Sequence, residues 1–129
     1  MTPHWVPTPA VRAIHAQLLS EHGGLLGSPQ EAALESTLAR PLELLTYAAA
    51  PPSIFQLAAV YGFGLARDHC FADGNKRMAL AIIDVFLQLN GFELMALEED
   101  AVLTIRSVAA GELNEAELAS WVQQNSVAI

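Results

Sequence analysis

The segment from Asn75 to Asn90 constrains the fold of this 129-residue chain more than any other. Met78, Leu80, Ile82, Ile83, Val85, Phe86, Leu87 and Leu89 leave it few polar positions. A helix apolar nearly all round is stable only when other elements enclose it, so this one belongs in the middle of a bundle. Gly91 after Asn90 is a natural stop. With 53% hydrophobic and 16% charged residues the composition supports one such core. A single domain over residues 1–129 would bury roughly 65–70% of its unfolded surface.

The remaining punctuation also marks helices. Thr8-Pro9 reads as an N-cap followed by proline at N1, with Val11, Ile14, Leu18 and Leu19 at helical spacing and Gly23-Gly24 as the stop. Ser28-Pro29-Gln30-Glu31 reads as a capping box for a second helix that Pro41 ends near Arg40. Leu42 to Ala50 is a short third segment closed by Pro51-Pro52, and a fourth helix runs from about Ser53 toward Asp68. After the central helix, Phe92 to Ala96 is a short extended piece and Glu98 to Ala110 a sixth helix. Asn114 and Glu117 cap a seventh, which ends before a polar tail. The expected fold is all-α, a compact single-domain bundle of six to seven helices.

A formal net charge of −8 argues against direct nucleic-acid binding or attachment to an anionic membrane, because no basic stripe exists to displace counterions. The longest greasy stretch, Met78 to Leu89, is too short to span a bilayer. Met1 to Pro9 lacks the pattern of a signal peptide, and a lone cysteine fits a reducing compartment. The expected location is the cytoplasm.

The few cations are concentrated. Of six basic residues, Arg67, Lys76 and Arg77 fall within eleven positions around the string His69-Cys70-Phe71-Ala72-Asp73-Gly74-Asn75-Lys76-Arg77. That string has what phosphoryl transfer needs. Imidazole ordinarily titrates near neutral pH, so His69 can take a proton from an incoming hydroxyl. Asp73 offers one carboxylate to Mg²⁺, which otherwise prefers phosphate and water ligands. A helix starting at Gly74 or Asn75 presents open N–H groups and a positive dipole end, worth roughly 0.3–2 kcal/mol to a phosphate. Gly74 leaves the backbone unobstructed, and Lys76 and Arg77 add a point cation and a planar fork. Phe71 has no chemical part and would anchor the loop and aim His69.

Singly, each of these residues has an ordinary structural use as cap, turn or core side chain. Jointly, seven specified positions in nine arise by chance on the order of 10⁻⁹ per window at about one in twenty per position. The string matches H-x-F-x-[DN]-[AG]-N-K-R and resembles the Fic/Doc superfamily, in the form found in Doc (death-on-curing) toxins. Glu21-His22-Gly23-Gly24, the run from Leu34 to Pro41, Tyr61 to Arg67 and Phe86 to Gly91 are similar to this family as well, so the resemblance covers nearly the whole chain.

The resemblance implies a helical toxin that transfers a phosphoryl group from ATP, with Mg²⁺, to a threonine of elongation factor Tu and halts translation. By similarity His69 is the base, Asp73 the Mg²⁺ ligand, and Gly74, Asn75, Lys76 and Arg77 the phosphate-binding group. Fic relatives, which transfer AMP, carry glycine where this chain has Lys76 and arginine where it has Leu80, so both positions point to the Doc branch. AMP transfer to a protein hydroxyl, and a non-catalytic binding role for the same fold, are the alternatives. No self-inhibitory [ST]-x-x-x-E-[GN] string occurs in the chain. Restraint is therefore expected from an antitoxin of the Phd type, whose C-terminal segment folds as a helix over the phosphate site.

Other residues read as structural. Cys70 is expected to be a small buried hydrophobe, Met78 to adjust packing beneath the loop, and His15 and His22 to be surface histidines of the first helix. Asp84 suggests an exposed position or a structural hydrogen bond, Trp5 and Trp121 close the bundle, and Glu98-Glu99-Asp100 favour a helix's first turn.

Overall fold

Ten of the fourteen residues of the helix Ile54–Arg67 are buried, and around it the rest of the chain is arranged. The computed structural model describes residues 2–25 and 27–129. In order these form α1 (Thr8–His22), α2 (Glu31–Tyr47), α3 (Ile54–Arg67), α4 (Asn75–Leu89), β1 (Phe92–Leu94), α5 (Glu98–Ala109), α6 (Glu115–Gln124) and β2 (Ser126–Ala128). The fold is all-α apart from one antiparallel β1–β2 pair, in which Glu93 lies opposite Val127. No helix among the described residues is long and apolar enough to cross a membrane.

The apolar helix after the motif is central, as its sequence requires. Met78, Ala79, Ile82, Ile83, Phe86 and Leu87 of α4 are buried against α3. α3 is the more enclosed of the two because its small residues let neighbours close in. At Gly64, an added Cβ would stand 2.7 Å from Cγ2 of Thr37 on α2. Trp5 stacks on Phe86 at 5.9 Å and Trp121 donates to Asp100 at 2.9 Å, so both close the bundle. Asp84 is a structural hydrogen-bonder, accepting from Leu94 N–H at 3.0 Å and so fixing β1 on α4.

Four local expectations are corrected. Pro41 does not end a helix: α2 runs through it, so the anticipated second and third helices are one. An internal proline costs about 3 kcal/mol or more in isolation. Here Pro41 is buried, and packing of α2 on α3 offsets that cost. Ser28 does not cap α2, whose N-cap is Gln30 with no side-chain bond, and the capping boxes are at Ser53–Gln56 and Asn114–Glu117. Thr8 is already helical, with Pro7 as N-cap. The polar tail includes β2, because Phe92 to Leu94 offers an edge that residues 126–128 complete.

Candidate active site

His69 occupies the position after the C-cap of α3, with φ 51°. This left-handed conformation usually falls to glycine at a helix end, and a non-glycine residue there carries strain of order 1–3 kcal/mol. The surroundings hold it from the α2 side. Thr37, buried, donates to Asp68 Oδ2 at 2.6 Å, and Gln30 N–H donates to the Cys70 carbonyl at 2.8 Å. Cys70 is fully buried, its Sγ 3.5 Å from Thr37 Oγ1, and burial pushes its thiol above the ordinary range. It is the small core residue its context suggested. His69 itself is left exposed at the rim of a cleft.

The other half of the loop is held by α1 and the segment that follows it. Asp73 Oδ2 accepts from Leu25 N–H at 3.2 Å and Oδ1 from Gly74 N–H at 2.8 Å. These two bonds, Leu25 first, hold its carboxyl below the usual carboxylate range, with Arg77 assisting more weakly. Gly24 permits this approach, since a Cβ there would sit 3.0 Å from Asp73 Oδ2. Two bonds use about half of a carboxylate's acceptor sites, so the ionised Asp73 retains lone pairs for a hard cation at the cleft.

α4 begins without a side-chain cap. Its N-cap, Gly74, has φ 81°, so the first-turn N–H groups are left for something outside the helix. Asn75 spends its side chain on the loop, accepting from Phe71 N–H at 3.1 Å and donating to the Phe71 carbonyl at 2.9 Å. What Asn75 can offer a phosphate is therefore its backbone N–H. Lys76 and Arg77 are exposed at the cleft.

The cleft has a volume of about 970 Å³, in the range of small-molecule sites. It brings together His69, Asp73, Gly74, Asn75, Lys76 and Arg77, all six residues singled out from the sequence, with Leu80. Arg67 is not among its walls and instead lies over the Phe63 ring at 5.2 Å. The opposite wall went unread in the sequence: Glu98, Ala101, Val102, Ile105, Arg106 and Ala109, one face of α5. Their i, i+3, i+4, i+7 spacing puts them on one helix face without saying what it meets. Arg12 and Arg40 are paired with Glu31 and Glu115, whereas Lys76, Arg77 and Arg106 form no salt bridge among the described residues. In a chain of net charge −8, three free cations thus face one cleft.

His15 was also missed. It is no surface residue: it is buried, stacks on Phe71 at 3.9 Å, and places Nε2 2.9 Å from the Asp73 carbonyl. His22 is exposed, as expected, and reaches the cleft edge.

The Fic/DOC family model matches residues 5–87, which include α1 to α4 and the whole loop apart from the last residues of α4. The chain belongs to the Fic/DOC family. Within it the similarity is to Doc proteins. Protein kinase doc of Escherichia phage P1 is 31% identical over 112 residues, 87% of each chain. Toxin Doc of Mycolicibacterium smegmatis is 38% identical over 74 residues, 57% of each. The α5 wall lies beyond the residues that the family model matches.

Proposed function

We propose that this chain is the toxin of a type II toxin–antitoxin module, a cytoplasmic kinase that uses ATP and Mg²⁺ to phosphorylate a threonine of elongation factor Tu and so arrests translation. The observation that carries this reading is the joint presence of Lys76 and Leu80 on the cleft beside the uncapped start of α4. Those are the two positions at which the resemblance separates phosphate transfer from AMP transfer. The P1 relative's name, Protein kinase doc, supports the same choice.

The residues fit the groups the reaction needs. Asp73, ionised and with free lone pairs, would hold Mg²⁺, and the N–H groups of Asn75 to Arg77, over a Gly74 with no side chain to obstruct them, would hold the nucleotide phosphates with the Lys76 and Arg77 side chains. When bound, Mg-ATP would supply the phosphoryl group and leave as ADP, with Mg²⁺ neutralising part of the phosphate charge. His69 accepts the proton of the threonine hydroxyl, a contribution of about 10²–10⁴-fold for a positioned base. The backbone dipoles and cations of the α4 start stabilise charge on the transferred group without reorganising. An antitoxin of the Phd type, folding its C-terminal segment over the cleft, would block both nucleotide and acceptor.

Intact-mass spectrometry of elongation factor Tu incubated with the protein and Mg-ATP tests the reading. Addition of one phosphate is expected, removed by His69→Ala. Addition of AMP would establish the Fic-type reaction in its place.

A further inference from the structure

Beneath the candidate site, the ring of His15 from α1 touches the loop in two ways and lies under Gly74. Nε2 lies 2.9 Å from the Asp73 carbonyl, the ring stacks on Phe71 at 3.9 Å and 18°, and a Cβ on Gly74 would stand 3.7 Å from Nε2. We propose that His15 is a positioning residue of the transfer site, whose Nε2–H fixes the Asp73–Gly74 peptide in the orientation that opens the start of α4 to the cleft. This rests on the function proposed above.

A carbonyl oxygen only accepts, so His15 must carry its proton on Nε2. The consequence follows from the rigidity of the peptide unit. In a planar trans peptide, C=O and N–H point in opposite directions. Holding the Asp73 oxygen inward on His15 therefore turns the Gly74 N–H outward, where it meets Asp73 Oδ1 at 2.8 Å. One part-buried bond thus sets both the backbone at the helix start and the direction of the carboxylate. Without it the Asp73–Gly74 peptide is free to rotate, because Gly74 at φ 81° has no side chain to resist. The stacked ring alone does not restrain that rotation.

Two variants separate the donor from the ring. His15→Phe keeps the stack and loses the N–H, whereas His15→Gln places an amide N–H near the Nε2 position and loses the stack. ¹⁵N relaxation of the free protein reads loop order without any activity. In the unsubstituted protein and in His15→Gln, Gly74 and Asn75 are expected near an order parameter of about 0.85, falling below about 0.6 in His15→Phe. With Mg-ATP and elongation factor Tu, His15→Phe should lose at least about tenfold in kcat, the size of one lost hydrogen bond, while KM for ATP moves less than about threefold. His15→Gln should regain most of kcat while melting at a lower temperature.

Unchanged order parameters in His15→Phe would overturn the inference, as would an equal kcat loss in both variants, since the ring would then be what matters. Should the unsubstituted protein transfer nothing from Mg-ATP, the proposed function falls, and the order parameters alone decide whether His15 holds the peptide.

Discussion

Asn75 makes two hydrogen bonds to the backbone of Phe71, accepting from its N–H and donating to its carbonyl, and so closes the loop across four residues. The side chain acts as a missing backbone unit. It completes a turn between the end of α3 and the start of α4 while Phe71 is buried against His15.

Removing that closure should cost stability as well as chemistry. Asn75→Ala deletes both bonds, each worth about 0.5–1.5 kcal/mol, so a loss of about 1–3 kcal/mol is expected in denaturant unfolding. Transfer activity should fall with it. An Asn75→Ala protein as stable as the parent would show the loop to be held chiefly by Phe71 and His15.

At His69, function and conformation make different demands. The residue is exposed and left-handed, so glycine suits its backbone and nothing else suits its proposed chemistry. His69→Gly is expected to be more stable than His69→Ala by about 1 kcal/mol, both being inactive. Paired unfolding curves read the difference; equal stabilities would mean that the loop relaxes φ when the imidazole is removed.

Asp73 should leave a mark on the pH dependence of stability. Its folded carboxyl titrates below the ordinary range because Leu25 and Gly74 donate to it. A depressed carboxylate contributes stability that is complete above its unfolded pKa and is lost as pH falls through the folded value. The advantage of the parent over Asp73→Asn should therefore be constant at neutral pH and vanish only on acidification below the ordinary carboxylate range. An NMR titration of the Asp73 carboxyl gives the midpoint directly, and a midpoint at or above the ordinary range would contradict the two bonds. Asp73→Asn should also raise the Mg²⁺ requirement of transfer.

Lys76 is expected to govern transfer more than affinity. Because the N–H groups of α4 remain, Lys76→Gly should weaken Mg-ATP binding only by the value of one cation contact, about 1–3 kcal/mol or less, while phosphate transfer falls further. Adding Leu80→Arg should allow a trace of AMP transfer. Calorimetry and intact mass of the acceptor separate the two effects; a loss confined to binding would remove Lys76 from the transfer step.

Much of the site was legible because its residues are contiguous. His69, Asp73, Gly74 and Lys76 lie in one string, and the start of a helix is a local event, so their proximity follows from chain connectivity. Arg67 was grouped with them for the same reason, yet one helical turn sends its side chain to Phe63 instead. Leu25, His15 and Arg106 come to the loop and cleft from 48, 58 and about thirty residues away, and nothing local in their sequence identifies what they meet.

The sequence by itself determined that helices form, that the segment after the motif is enclosed, and that a helix start lies beside a histidine and a carboxylate. These depend on periodicity, composition and short-range spacing. Tertiary structure alone decided that α2 continues through Pro41, that α5 supplies the far wall, and that His15 of α1 and Leu25 just after it hold the Asp73 backbone and carboxylate. In each case the deciding free energy comes from packing or hydrogen bonding between residues distant in the chain, which outweighs a local preference of a few kcal/mol and leaves no local trace.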